Sequence, residues 1–205
     1  MNIGEMNQRI ALLRYEGNEW IEDKIIWAKA AVKQSRCVFS QYAVAGFPTW
    51  KLIVHRGSGI TGENLLRMGN RLLLITDMAA AENENYLELS CGVVEVKRFT
   101  YEITETGRDE LNRPVVTATA DASFEGILTE KYVKHEEAFH AQRYEKEITT
   151  GHATQTQVFI LMVPKCVKRK TGTALRADGR NYVVTLRHET GGSFNEYELT
   201  ARSDV

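Results

Sequence analysis

Along much of the chain, hydrophobic and polar residues alternate with the period of two that is typical of strands burying one face. In the predicted strand 21–32, for example, Ile26, Ala28 and Ala30 fall on one face. Strands of this kind recur at short intervals with turn residues between them, which predicts a mostly β protein of small barrels or sandwiches. The predicted strands cover 10–15, 21–32, 50–55, 72–75, 86–96, 99–104, 115–120, 158–163, 182–186 and 197–200.

The pattern occurs twice. At an offset of 110 residues, Gly69 meets Gly179 and Leu89 meets Leu199, inside longer stretches of similar sequence. At an offset of 90 residues, Gly17 meets Gly107 at the start of a second matching stretch. Repeats of 20 to 50 residues indicate solenoids, so a period this long indicates a duplicated domain instead.

The two offsets differ by twenty residues, so the second unit has a longer middle. We predict two tandem small β-barrel or sandwich domains, 1–98 and 99–205, with a longer central loop at about 122–157 in the second. Within that loop, 127–148 is rich in helix formers and free of Gly and Pro, which predicts one inserted amphipathic helix. For 35–44 a short helix and a loop both stay open.

Composition narrows the function classes. The net charge of -1 and the pI near 6.5 provide no general basic field for nucleic-acid binding. Cys37, Cys91 and Cys166 are widely spaced and odd in number, which favours buried thiols in a reducing compartment over disulfides or a zinc site. No apolar run is long enough for a membrane span, and the start lacks a signal-peptide pattern. We expect a soluble protein made in the cytoplasm.

Candidate chemistry is sparse. His135 and His140 lie five residues apart, whereas the zinc motif HExxH places its histidines four apart on one helix face. The glycine-rich stretch 57–62 is not followed by the Lys-Ser or Lys-Thr of a phosphate-binding loop. The two copies share turn and core residues and no Ser, His and Asp set. The sequence therefore predicts no enzyme activity, no metal site and no cofactor.

Two segments are candidates for contacts with partners. A local basic run consists of Lys165, Lys168, Arg169 and Lys170. It is either a solvated loop or a contact for phosphates or an acidic protein surface. One face of the predicted helix is a candidate for a channel or for an inter-subunit contact, through Tyr132, His135, Phe139 and Arg143.

A succession of short motifs carries a family resemblance. In order they are 3–10, Ile26-Trp27-Ala28-Lys29, Ile53-Val54-His55-Arg56, Gly59-Ile60-Thr61 and Tyr86-Leu87-Glu88-Leu89. Each is weak alone, but their order and spacing resemble those of the head-tail joining proteins of tailed bacteriophages, also called head closure, adaptor or stopper proteins. The resemblance covers about residues 3–96. Members are usually one unit long, so the second unit departs from the family pattern.

The resemblance implies a structural role without catalytic residues. Such a protein would form a ring in the neck of the virion, after synthesis in the host bacterial cytoplasm, closing the DNA-filled head and docking the tail. The implied partners are other copies of itself, the portal or adaptor protein, the tail terminator or tail tube protein, and the end of the packaged DNA. Six two-unit chains would offer twelve similar domains between a twelve-fold portal and a six-fold tail, and a ring of twelve chains is the other option.

Two alternatives stay open. A tail-completion or baseplate ring protein would also use small β domains. A tandem of nucleic-acid-binding barrels would need exposed aromatic residues among basic ones. Against it, Trp20, Trp27 and Trp50 have no aromatic counterparts in the second unit.

Overall fold

The structure is a computed structural model that describes residues 6–33, 39, 43–44, 48–108, 111, 113–131, 158–189 and 192–202. In these residues the chain is nearly all β, with one turn of 3-10 helix at Arg56–Ser58 and no α-helix. The strands are β1 (Gln8–Glu16), β2 (Glu19–Lys33), β3 (Ala43–Val44), β4 (Thr49–His55), β5 (Leu65–Met68), β6 (Arg71–Ala80), β7 (Tyr86–Arg108), β8 (Pro114–Lys131), β9 (Val158–Pro164), β10 (Ala174–Ala177), β11 (Arg180–His188) and β12 (Phe194–Arg202). The predicted mostly β class is confirmed.

The strands pair antiparallel in two closed cycles that share β7. The first cycle runs β1, β2, β4, β7, β6, β5 and back to β1. The second cycle runs β7, β8, β9, β12, β11, β10 and back to β7. Residues 87–94 of β7 pair with β6 in the first cycle, and residues 95–108 pair with β8 in the second. The single residue pair recorded between β10 and β7, Thr100 with Arg176, closes the second cycle.

The two cycles follow one pairing plan, in which β7 to β12 take the places of β1, β2, β4, β5, β6 and β7. Their equivalent positions follow from the cross-strand partners. Ala11 pairs with Arg67 in the first cycle, as Thr100 pairs with Arg176 in the second. Two residues earlier, the pair of Arg9 and Trp27 corresponds to the pair of Arg98 and Glu125. Likewise the pair of Leu65 and Leu74 corresponds to that of Ala174 and Val183.

Buried hydrophobic side chains of the described residues form three clusters. The first interior cluster lies inside the first cycle and contains Ile10, Leu12, Ile26, Ala28, Leu52, Val54, Ile60, Leu66, Leu73, Ile75, Leu89 and Cys91. The second interior cluster lies inside the second cycle and contains Phe99, Phe124, Leu161, Val163, Val167, Leu175, Ala177, Tyr182, Val184, Tyr197 and Leu199. The joint cluster lies between the two cycles and contains Leu13, Ala43, Leu65, Leu74, Ile127, Ile160, Met162 and Phe194.

Strands beside the joint are therefore buried on both faces. Leu73 points into the first interior cluster and its neighbour Leu74 into the joint cluster. The same alternation separates Leu161 from Met162 in the second cycle. A strand covered on both faces has no solvent-facing positions, so its sequence reads as a continuous apolar run. This explains the uninterrupted run 72–75.

Several predicted elements are corrected. The predicted strands 86–96 and 99–104 are one strand, β7, and β5 was not predicted. The predicted start of the inserted helix is wrong, because residues 127–131 belong to β8 and pair with β7 or β9. Residues 132–148 lie outside the described residues. So do four candidate contact residues: Tyr132, His135, Phe139 and Arg143.

The cysteines follow the prediction in part. Cys91 is buried in the first interior cluster. Cys166 is exposed, so the prediction of a buried thiol is wrong there, because the residue lies in the surface loop after β9. Cys37 lies outside the described residues. Among the described residues there is no helix with the length and hydrophobicity that crossing a membrane requires.

Candidate interaction surfaces

The basic run predicted from sequence lies in the loop between β9 and β10. Lys165, Lys168 and Lys170 are exposed on this loop. The side-chain amide of Asn195 holds the loop, donating to the carbonyl oxygens of Lys165 at 3.3 Å and Val167 at 2.9 Å. Val167 is itself buried in the second interior cluster. The loop is thus fixed at two backbone points and presents three lysines at one end of the second cycle.

Arg169 belongs to the same run but is placed differently. Its guanidinium carbon lies 4.1 Å from the ring centre of Tyr101 and 4.3 Å from that of Phe124. Its backbone N–H donates to the hydroxyl of Tyr197 at 3.0 Å. A cation over two aromatic faces is attracted by both rings and covers apolar surface with its stem. Arg169 therefore anchors the loop, and the structure separates it from the three lysines.

The turn between β1 and β2 reaches from the first cycle onto the second. It consists of Gly17 and Asn18, both with positive φ (60° and 73°), the conformation that two-residue hairpin turns favour. The backbone N–H of Glu125 donates to the carbonyl oxygen of Asn18 at 2.8 Å. The backbone N–H of Trp20 donates to the carboxylate of Glu125 at 2.8 Å. Both contacts place the turn against the outer side of β8.

Tyr15 completes this contact. Its hydroxyl donates to the carbonyl oxygen of Glu125 at 3.2 Å, and its ring meets Trp20 edge to face with 5.1 Å between ring centres. The pKa of Tyr15 is raised to about 12, chiefly because burial disfavours the charged phenolate. Cys166 and the carboxylate of Glu125 raise the pKa further, and the charge of Arg169 partly opposes them.

Two large apolar side chains stand exposed on the outer face of β2 in the first cycle. Trp27 is 53% exposed and Ile25 48%, and both point away from the first interior cluster. Ile21 is also exposed, but a register shift in β2 places it on the opposite side of the strand. Exposed large apolar groups that lie together often mark an interaction site. The sequence held a signal for Ile25 and Trp27, because apolar residues occupy both alternating sets of β2 positions from 25 to 28.

A groove of about 590 Å³ lies beside β7, β10 and β11 of the second cycle. It is lined mainly by small and polar side chains, including Thr100, Glu102, Asp121, Ala174, Arg176 and Val183. Nothing in the sequence indicated this groove, because its residues come from strands that only the closure of the second cycle brings together.

A polar cluster lies on the second cycle, where the carboxylate of Glu198 meets the His188 ring and the Lys131 ammonium group. One carboxylate oxygen lies 3.0 Å from His188 Nε2 and 2.7 Å from Lys131 Nζ. Glu198 is thus paired, as a largely buried carboxylate needs to be. Within the described part of the chain, no group of three or more His, Cys, Asp or Glu side chains could hold a metal ion.

Comparison of the chain with models of protein families, with curated proteins and with solved structures gives no match. The surfaces above are therefore assigned a role from their own geometry and from the sequence resemblance.

Proposed function

We propose that this protein is a structural component of the neck of a tailed bacteriophage. In this role it forms a ring between the portal or adaptor protein and the tail, closes the DNA-filled head and docks the tail. The sequence resemblance over about residues 3–96 supports the assignment. The nearly all-β fold agrees with the small β-barrels that the resemblance implies, and the proposal gives the chain no catalytic step and no cofactor.

The finer architecture in this proposal is two tandem β-barrels, 1–98 and 99–205, that arose by duplication. Two closed pairing cycles with one shared plan support it, and each cycle encloses its own interior cluster. The proposed boundary falls inside β7, between Arg98 and Phe99, so one strand serves as the last of one barrel and the first of the next.

One observation carries the ring: two similar units meet through different faces. The first cycle contributes the outer faces of β1, β5 and β6 to the joint cluster, through Leu13, Leu65 and Leu74. The second contributes β8 and β9, through Ile127 and Ile160. Contacts between unlike faces leave an unused face on each unit, and repeating them gives rings when the rotation closes. A ring of six chains would present twelve such units.

The basic loop supplies a further contact in this proposal. Lys165, Lys168 and Lys170 are exposed on a loop fixed by Asn195. Their ammonium groups suit phosphates of the packaged DNA end, or an acidic surface of a neck protein. The first cycle has far fewer basic residues in its corresponding loop, so this contact belongs to the second unit.

Electron microscopy of phage particles that carry a tagged copy of this chain tests the assignment. We expect the tag as a ring between head and tail, and we expect deletion of the gene to remove the ring and the retention of DNA. Tag density at the distal end of the tail would replace the assignment by a baseplate role. Absence from particles would overturn the neck role and favour the nucleic-acid-binding alternative. Counting copies in the ring separates six from twelve.

A further inference from the structure

The internal joint defines two kinds of outer face. Face A is the outer side of β1, β5 and β6, where Ala11, Leu65 and Leu74 pack in the joint. Face B is the outer side of β8 and β9, where Ile160 and Met162 pack and Glu125 receives the turn. In one chain, face A of the first cycle meets face B of the second. Because the two cycles share one pairing plan, each also has the other face.

Within the described residues, face A of the second cycle is open. The positions of Ala11, Leu65 and Leu74 are taken there by Thr100, Ala174 and Val183. These three residues line the groove of about 590 Å³. The leucines of the buried face are replaced by smaller side chains, as suits a surface that meets water before assembly. The groove is thus the second-cycle counterpart of the surface already buried in the joint.

Face B of the first cycle is also open in the part of the chain that the structure describes. Trp27 takes the position of Glu125, and Arg9 takes that of Arg98. On β4, Ile53 follows the interior residue Leu52 as Met162 follows Leu161 on β9. Trp27 is 53% exposed and Ile53 is half-buried. Aromatic side chains in such positions supply much of the binding energy of protein interfaces.

We infer that a second copy of this chain docks head to tail, with face A of the second cycle of one copy against face B of the first cycle of the next. The contact repeats between chains what the joint does within one. Its charges agree in sign: the groove is lined by two carboxylates, Glu102 and Asp121, against one guanidinium, Arg176, and the opposing face carries the exposed Arg9. In the joint, Arg98 at the equivalent position pairs with Glu19.

This contact deepens the proposed ring and rests on it. It joins unlike faces, so each docked copy again leaves one face A and one face B open. Such heterologous association continues until the ends meet and a ring closes. Residues from both surfaces are then required, whereas an isologous dimer would need only one of them.

Sedimentation velocity of the purified full chain at millimolar concentration tests the contact. Trp27→Arg blocks face B of the first cycle, and Ala174→Arg blocks face A of the second. Each variant alone is expected to stay monomeric while the wild type assembles, and an equimolar mixture is expected to give dimers and nothing larger. Val32→Arg is the control, since Val32 lies on the same strand, is 50% exposed, and points to the opposite side. It should assemble like the wild type.

Other outcomes overturn the inference in distinct ways. A wild type that stays monomeric removes the contact. If Ala174→Arg assembles and Trp27→Arg does not, two copies meet through face B of the first cycle on both sides. Assembly of both variants means that another surface is used. The last two results leave the neck assignment standing, because it is tested on particles. Conversely, the protein could show the expected sedimentation pattern and yet be absent from phage particles. That result would support the contact and overturn the proposed neck function. Circular dichroism confirms that each variant is folded.

Discussion

The backbone N–H of Trp20 donates a 2.8 Å hydrogen bond to the carboxylate of Glu125, 105 residues further along the chain. Glu125 also accepts a hydrogen bond from the Tyr15 hydroxyl at its carbonyl oxygen. Its backbone N–H donates to the carbonyl oxygen of Asn18. Three hydrogen bonds at one position thus fasten the first hairpin of the chain to the outer side of β8. The joint between the two cycles therefore has a set of hydrogen bonds beside its hydrophobic cluster.

Removal of the Glu125 carboxylate should weaken the hydrogen bonding between the first hairpin and β8. In Glu125→Ala the part-buried N–H of Trp20 loses its partner, which typically costs about 1–3 kcal/mol. We expect a fall of that size in the free energy of unfolding, measured in urea. The matched control is Glu19→Ala, which removes only an exposed ion pair with Arg98 and should cost about 0–1 kcal/mol. Equal losses in the two variants would contradict a special role for Glu125.

A side chain at Gly126 is expected to destabilise the fold. A methyl group there would lie 2.6 Å from Leu161 Cδ1 and 3.0 Å from Val163 Cγ1, inside the second interior cluster. Overpacking of this kind costs about 1–3 kcal/mol, and we expect Gly126→Ala to lower the free energy of unfolding by that amount. In the double variant with Leu161→Ala, the loss in the free energy of unfolding should be smaller than the sum of the losses in the two single variants. The reason is that the added methyl group fills the space that Leu161 vacates. Strict additivity would show that the clash is absent.

The turn at Asp178 should depend on its backbone conformation more than on its charge. Asp178 has a φ of 50°, and its carboxylate lies 2.8 Å from Lys97 Nζ, which raises the pKa of Lys97 above its usual value. The left-handed conformation costs ordinary residues about 1–2 kcal/mol. Asp178→Ala should therefore unfold at lower urea than Asp178→Gly, which loses the same exposed ion pair without the strain. The reverse order would contradict a cost of the left-handed conformation at this position, because neither variant keeps the ion pair.

Tyr15 should make stability depend on alkaline pH. Its pKa is about 12 when folded, against about 10 in an unfolded chain. Between these values the unfolded chain loses this proton and the folded protein keeps it, so the free energy of unfolding falls as pH rises from about 10 to about 12. We expect a shallower fall in Tyr15→Phe, measured by urea unfolding at a series of pH values. Parallel pH profiles for the two proteins would contradict the burial of this hydroxyl.

The basic loop should separate into an anchor and a contact surface. Arg169→Ala removes a cation from two aromatic faces and should lower the free energy of unfolding by about 0.5–2 kcal/mol. Reversal of Lys165, Lys168 and Lys170 to Glu should change stability by less than about 0.5 kcal/mol, as exposed substitutions usually do. The same reversal should reduce the number of tagged copies per phage particle. Lys24→Glu, at an exposed lysine outside the loop, is the control and should leave that number unchanged.

Local pattern predicted most strands because alternation reports burial of one face. The local pattern gave the wrong element where tertiary contacts determine the secondary structure. Ile127 sits in a run of helix formers, yet it pairs with Val96 on one side and Met162 on the other and is fully buried in the joint. Burial between two strands outweighs a helix preference of a few tenths of a kcal/mol per residue. The repeat predicts a break within β7, whereas the strand runs without one from Tyr86 to Arg108.

The surfaces were less accessible to sequence reasoning than the strands. A cluster of charges shows in the sequence, but the partial burial of Arg169 depends on Tyr101 and Phe124, which lie far from it in the chain. The role of Glu125 depends in the same way on a turn in the other cycle. Such positions are defined by which strands the fold brings together, and single-residue patterns do not contain that information.

The sharing of β7 has a mechanical consequence. A linker between two domains absorbs rotation and stretch in a few flexible bonds, but here the same hydrogen-bonded strand leaves one cycle and enters the next. A pull applied to the first cycle loads β7 along its length, and that load must shear its ladders with β4 and β6 on one side of the boundary and with β8 on the other. Strain at one end of the molecule therefore reaches the other end without a hinge to dissipate it.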